Sequence, residues 1–166
     1  DYEWRKGPYG VTLGIHGTHV EVSGITIRGS SHWTIVPRGS RHVTIRNVKL
    51  CNSRVQNDDG INPCNSQDVL ITDCFIRSDD DCVALKGLDL KAPNSNVERI
   101  TVENCTLWCD RARIFLLGHE SRAPFMPASS SAPRRPPTYS RCCTLYFRQK
   151  VSASFGSFVV AIRAAT

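Results

Sequence analysis

Two acidic runs hold the residues whose types and spacing could do chemistry. The first is Asn57-Asp58-Asp59-Gly60-Ile61 and the second is Ser78-Asp79-Asp80-Asp81-Cys82-Val83-Ala84. Asp59 and Asp80 stand 21 residues apart. Carboxylates crowded within a few ångströms repel one another, and the crowding raises the pKa of one of them. A protonated acid beside an ionised carboxylate is what hydrolysis of a glycosidic bond requires: the acid protonates the leaving oxygen and the base activates water. The same strings also suit ordinary turns, and an acidic turn can bind Ca²⁺. What separates these readings is whether the chain returns to the same face after about 21 residues.

The sequence repeats in a way that does this. Val20-Glu-Val-Ser-Gly-Ile-Thr-Ile27, Val43-Thr-Ile-Arg-Asn-Val-Lys-Leu50, Val69-Leu-Ile-Thr-Asp-Cys-Phe-Ile76 and Ile100-Thr-Val-Glu-Asn-Cys-Thr-Leu107 share one pattern, with starts 23, 26 and 31 residues apart. Each reads apolar-x-apolar, a corner, then apolar-x-apolar, with Gly24, Asn47, Asp73 and Asn104 at the corner. A shorter apolar stretch follows each: Trp33–Val36, Gly60–Asn62, Cys82–Lys86 and Arg113–Leu117. A period in the twenties with two or three strands per period is the pattern of a β-solenoid. Stacking its coils at the ~4.8 Å strand spacing buries a continuous apolar column and sets Asp59 on the coil next to Asp80 and Asp81. Asn or Asp at successive corners can form a side-chain amide ladder. Val48, Cys74 and Cys105 follow the corner at one equivalent position, so the two thiols are expected to point inward as stacked core residues. A β-sandwich is the competing all-β fold, but it does not predict a corner residue recurring in register.

Composition narrows the function. The chain has 166 residues, 40% hydrophobic and 22% charged, enough for one domain with a core. No apolar run approaches the ~18–20 residues of a membrane span. The net charge of +6 lies in the tail: Ala123–Thr166 has six bases and no acid, leaving 15 bases and 15 acids in the first 122 residues. A nucleic-acid partner therefore has nothing to grip in the patterned part. The eight cysteines form no CxxC pair, which disfavours a zinc ribbon or a thioredoxin-type site. The chain opens on Asp1-Tyr-Glu-Trp-Arg, with neither an initiator Met nor a signal peptide, and reads as a piece that starts inside a larger protein.

Ser31-His-Trp-Thr-Ile-Val36, Asn57-Asp-Asp-Gly-Ile61 and Asp80-Asp-Cys-Val-Ala84, in that order, resemble the glycoside hydrolase family 28 pattern of the polygalacturonase-like enzymes. The resemblance covers about residues 18–122. It implies a right-handed parallel β-helix, here about four coils and truncated. It also implies inverting hydrolysis of a pectic polysaccharide, with no cofactor and no metal, by a secreted or periplasmic protein that works as a monomer. Carried onto this sequence, the catalytic trio is Asp59, Asp80 and Asp81. Asp80 is the general acid, and Asp59 and Asp81 hold and activate the water. Asp58 and Asp79 are neighbours of the trio. Asn57 fixes the turn that presents Asp59 and is grouped with the substrate-binding residues. Lys86 is placed to meet a substrate carboxylate or hydroxyl, against a solvated surface lysine as the alternative. Where the family carries Gly-His-Gly on the next coil, this sequence has Asp110-Arg111-Ala112, so Arg111 is the anion-binding candidate there. His119 is the other candidate for the supporting imidazole, while His16, His19, His32 and His42 read as structural or surface residues. The same fold also serves polysaccharide lyases or epimerases, which need Ca²⁺ and a base, and carbohydrate-binding modules without catalysis.

After Arg122 the repeat stops. Residues 123–166 form a basic Ala/Ser/Pro/Arg-rich tail whose prolines cannot continue a strand ladder. It is expected to be irregular, as an out-of-frame or disordered end, with a flexible basic linker as the alternative.

Overall fold

The computed structural model describes residues 10–52, 55–90, 95–118, 120–123, 125–126, 145–151 and 158–164. Every regular element among them is a strand. No helix of the described residues is long and apolar enough to cross a membrane.

Three parallel ladders run through the described residues. The first joins β2 (Thr18–Ser23), β5 (Arg41–Arg46), β7 (Gln67–Thr72) and β10 (Val97–Glu103). The second joins β3 (Thr26–Arg28), β6 (Lys49–Cys51), β8 (Phe75–Ser78) and β11 (Thr106–Cys109). The third starts with β1 (Leu13–Ile15) and β4 (Ile35–Pro37) and ends with β9 (Val83–Leu85) and β12 (Phe115–Leu117). Between them it passes through single bridges, Ile35↔Ile61↔Val83 and Arg38↔Cys64↔Lys86. Each strand pairs with its counterpart one repeat later, in the register the sequence pattern predicts: Val20↔Val43↔Val69↔Ile100 and Ile27↔Leu50↔Ile76↔Leu107.

Alternation supplies the core. Val43, Ile45, Val69, Ile71 and Val102 from the first ladder meet Leu50, Ile76 and Leu107 from the second and Ile35, Ile61 and Val83 from the third. All are at most 2% exposed. At roughly 1.5–3 kcal/mol per buried aliphatic side chain, this column is the main source of stability. Val48, Cys74 and Cys105 are buried in it, as the repeat predicts.

The corner works differently from the expected amide ladder. Asn47, Asp73 and Asn104 are exposed, so their side chains face solvent. Their φ values are 50°, 55° and 52°, and that of Gly24 is 68°. Glycine, Asn and Asp are the residues that enter this left-handed region at least cost. The corner recurs because the backbone must turn there, and Gly24, Asn47 and Asp73 each donate a backbone N–H to the next repeat.

Beyond residue 122, β13 (Phe125–Met126) pairs parallel with β10. Further on, β14 (Leu145–Val151) and β15 (Phe158–Ala164) form an antiparallel pair, and β15 runs antiparallel to β10 and β11. Residues 124, 127–144, 152–157 and 165–166 of the tail lie outside the described residues.

Candidate active site

The third ladder places the acids. Counting back two residues from Ile35↔Ile61↔Val83↔Phe115 puts Trp33, Asp59, Asp81 and Arg113 at one register position. Backbone hydrogen bonds hold this register: Thr34 N–H to the Asp59 carbonyl (2.9 Å), Gly60 N–H to Asp81 (2.9 Å) and Cys82 N–H to Arg113 (2.9 Å). The partner directly opposite Asp59 is therefore Asp81, 22 residues on, with Asp80 beside it. Counting back once more, His32, Asp58 and Asp80 share the neighbouring position.

Two local features let the acids approach. Asn57 has φ 59°, and the turn it makes leads into Asp58 and Asp59. Gly60 then packs directly on the next repeat. A Cβ there would collide with the Cys82 carbonyl oxygen and lie 2.5 Å from Ile76 Cγ2, so Asp-Asp-Gly is a packing requirement as well as a turn.

Asp58 is fully buried, and its Oδ1 accepts the backbone N–H groups of Asp79 (3.0 Å) and Asp80 (2.9 Å). It ties the first acidic run to the second, a role the sequence reading missed. The signal for it was a second acid immediately before Asp59, with an open turn one repeat away. Asp79 is buried, with its Oδ2 3.5 Å from Nε of the exposed Arg111.

Asp59 is 2% exposed. Its Oδ2 accepts a hydrogen bond from Asn62 Nδ2 at 2.6 Å and lies 3.2 Å from Lys86 Nζ. Burial pushes its pKa up to about 7, against the pull of Lys86 and Asn62. Burial and then the charge of Asp80 also raise Asp81, whose Oδ1 accepts the Arg113 N–H at 3.1 Å. Asp80 is partly exposed, and its Oδ1 accepts the Asp81 N–H at 3.0 Å.

Lys86 follows β9 and is 4% exposed, so it is not a solvated surface lysine. Its Nζ lies 3.2 Å from Asp59 Oδ2, 2.6 Å from Glu120 Oε1 and 4.2 Å from the centroid of the Trp33 ring. Burial pulls the Lys86 pKa down, but Asp59 and Glu120 outweigh it and the net shift is upward. His32 stacks at a tilt on Trp33, with centroids 5.3 Å apart. Burial and the charge of Lys86 lower its pKa, while Asp80 opposes them. His32 thus belongs to this cluster rather than to a remote surface. Asn62, Glu120 and Trp33 are further members that sequence spacing did not single out. His119 lies outside the described residues. No group of three His, Cys, Asp or Glu side chains among the described residues is placed to share a metal ion.

The sequence from residue 4 to residue 108 matches the family model described as Glycosyl hydrolases family 28. The chain belongs to this family. A Vitis vinifera relative named "Probable polygalacturonase" is 38% identical over 81 residues, which is 48% of this chain and 16% of the relative. An Aspergillus niger relative named "Putative galacturan 1,4-alpha-galacturonidase A" is 30% identical over 118 residues, 61% of this chain and 26% of the relative. A namesake from Aspergillus flavus is 32% identical over the same length. The chain thus spans only about a sixth to a quarter of the length of the curated relatives it matches. No solved structure matches it.

Proposed function

We propose that this family 28 chain carries the acid/base centre of an inverting glycoside hydrolase that acts on a pectic polysaccharide. The single observation that carries the reading is the register that sets the buried Asp59 opposite Asp81 on the next repeat, with Asp80 beside it. Asp80 donates a proton to the leaving glycosidic oxygen. Asp59 and Asp81 hold a water and take its proton as it attacks the anomeric carbon from the opposite face, which inverts that centre. Asn57 shapes the turn behind Asp59. Arg111 lies at the rim, where a guanidinium favours an anionic sugar, and His119 is the other candidate, for the supporting imidazole. The scaffold is a right-handed parallel β-helix of about four coils over residues 1–122, with residues 123–166 as a basic tail. The protein is secreted, monomeric and directed to cell-wall polysaccharide.

The relatives' names support a galacturonate polymer as the substrate class. A lyase or epimerase on the same fold needs a neutral base beside the uronate. The ion pairs of Lys86 hold it as an ammonium, which favours hydrolysis.

The test is reducing-sugar release from polygalacturonate and from neutral and rhamnose-containing glycans. Asp80→Asn is expected to abolish release, because an amide has no proton to give the leaving oxygen. Equal release by the parent and Asp80→Asn overturns the hydrolytic mechanism. Binding of oligosaccharide with no cleavage, unchanged in Asp80→Asn, points instead to a carbohydrate-binding module. Turnover that depends on Ca²⁺ points to a lyase.

A further inference from the structure

Lys86 is the buried cation at the centre of this acidic cluster, and its surroundings say what it does. An ammonium has three N–H donors. Around Nζ stand the Asp59 carboxylate at 3.2 Å, the Glu120 carboxylate at 2.6 Å and the Trp33 ring at 4.2 Å, three partners for three donors. The side chain is 5% exposed, so a substrate carboxylate would have to displace one of these partners to reach it. The backbone is shaped for the arrangement. Lys86 is bridged to Cys64 on the preceding repeat, which fixes its Cα. The Ser121 N–H donates to the Gly118 carbonyl (3.0 Å), closing the turn that carries Glu120. A Cβ on Gly118 would sit 3.1 Å from Glu120 Oε2 and 3.2 Å from Lys86 Cγ, so a bare backbone there leaves the space the pair fills.

We propose that Lys86 is a positioning residue: it pins the Asp59 carboxylate between its own ammonium and the Asn62 amide, with Glu120 as the counter-anchor, and does not grip the substrate. The proposal rests on the hydrolytic reading above for its consequence, not for its geometry. A carboxylate that activates water must be ionised. Burial raises the Asp59 pKa, and Lys86 and Asn62 hold that rise to about 7. The other ionisable groups facing this pair are Asp80 and Asp81 from the second acidic run, Glu120, His32 and the buried Cys64 thiol. Of these, Asp80 pushes Asp59 toward its neutral form, and Lys86 is the cation that opposes it.

The test reads the Asp59 carboxyl directly, by ¹³C NMR titration of the full chain without substrate. Lys86→Met is expected to move the Asp59 midpoint up by about one to three pH units. Lys86→Arg should largely restore it, and Glu120→Gln should move it down, because Lys86 then serves Asp59 alone. If Lys86→Met does not fold, the Arg and Gln variants decide. A midpoint unmoved in every folded variant overturns the proposal. In turnover, Lys86→Met should lower kcat and shift the acid limb of kcat/KM upward, with KM little changed. A rise in KM confined to uronate substrates, at constant kcat and constant Asp59 midpoint, would mean that Lys86 grips substrate and would also overturn it. Complete absence of hydrolysis in the parent counts against the proposed function and leaves the titration result standing.

Discussion

Asp59 and Asp68 are the same residue in the same fold, each beside a cation, and they are driven in opposite directions. Asp68 sits on the outer face of the first ladder at the register position of His19, His42 and Arg99. Arg99 clamps it with two donors, Nη2 at 2.8 Å from Oδ2 and Nε on Oδ1, and Arg41 and His42 stand 3.8 Å away. The Arg99 hydrogen bonds hold its pKa below the usual carboxylate range against a small burial effect. Asp59 has Lys86 at 3.2 Å, yet its pKa rises to about 7. Asp68 has a two-donor clamp with its closer donor at 2.8 Å, Asp59 has a single ammonium at 3.2 Å, and the side-chain exposures differ as well, 24% against 3%. A cation within hydrogen-bond reach does not by itself decide a carboxylate's charge. Loss of water costs the ionised form more than one ammonium returns. The outer position is an ion-pair anchor, and the inner one is a carboxyl poised near neutrality.

Four experiments break or sharpen this contrast. The largest effect is expected from Gly60→Ala, since Gly60 is what lets Asp59 lie against the next repeat. A Cβ 2.5 Å from Ile76 Cγ2 must push two repeats apart, costing about 3 kcal/mol in urea denaturation and bringing Asp59 back toward an ordinary pKa. A variant as stable as the parent would show that the packing has slack.

Next comes the pH dependence of stability. For Asp59 the folded pKa is raised, so its contribution is fully present below pH 3.8 and is lost as pH rises through about 7. For Asp68 the folded pKa is lowered, so its contribution is present above pH 3.8 and is lost as pH falls through the lowered value. Asp59→Asn should therefore flatten the decline in unfolding free energy between pH 4 and 7 by roughly 3 kcal/mol. Asp68→Asn should leave that window unchanged and flatten only the acid side. Identical slopes in the parent and Asp59→Asn would show that water reaches Asp59.

Asp58 separates charge from hydrogen bonding. Asp58→Ala should cost about 2 kcal/mol, because one buried and one part-buried N–H lose their acceptor. Asp58→Asn keeps an acceptor oxygen and should cost about half as much. Hydrolysis, if present, should fall with Asp58→Ala, since the turn bearing Asp80 loosens. The smallest effect belongs to the outer column: Arg99→Gln should cost at most about 1 kcal/mol. That cost should shrink further in ~1 M salt, where charges are screened within about 3 Å.

Much of the scaffold was legible because a repeat writes its own register. Apolar-x-apolar stretches 23, 26 and 31 residues apart can bury their faces only by stacking, and the ladders follow that pairing. The corner was found for a partly mistaken reason. Gly, Asn and Asp recur there because of backbone φ, a constraint that leaves the same trace in sequence as a side-chain ladder would. The pairing of Asp59 with the second acidic run followed from the near-coil spacing. His32 was passed over because a single histidine carries no spacing signal, and it joins the cluster only because β4 lies one repeat before Ile61. Glu120 was invisible for the same reason, reaching Lys86 across 34 residues through a turn with no repeat of its own.

The sequence by itself determined which residues alternate, where the backbone must turn and which acids ride on successive repeats, because these depend on local sterics and on a period that stacking preserves. The tertiary structure alone decided how wet each charge is. Lys86 and Arg99 are both basic residues at the side of an acid, yet one is sealed beneath Trp33 and the other lies open on an outer sheet. Desolvation depends on everything packed around a group in three dimensions, and no spacing along the chain encodes it.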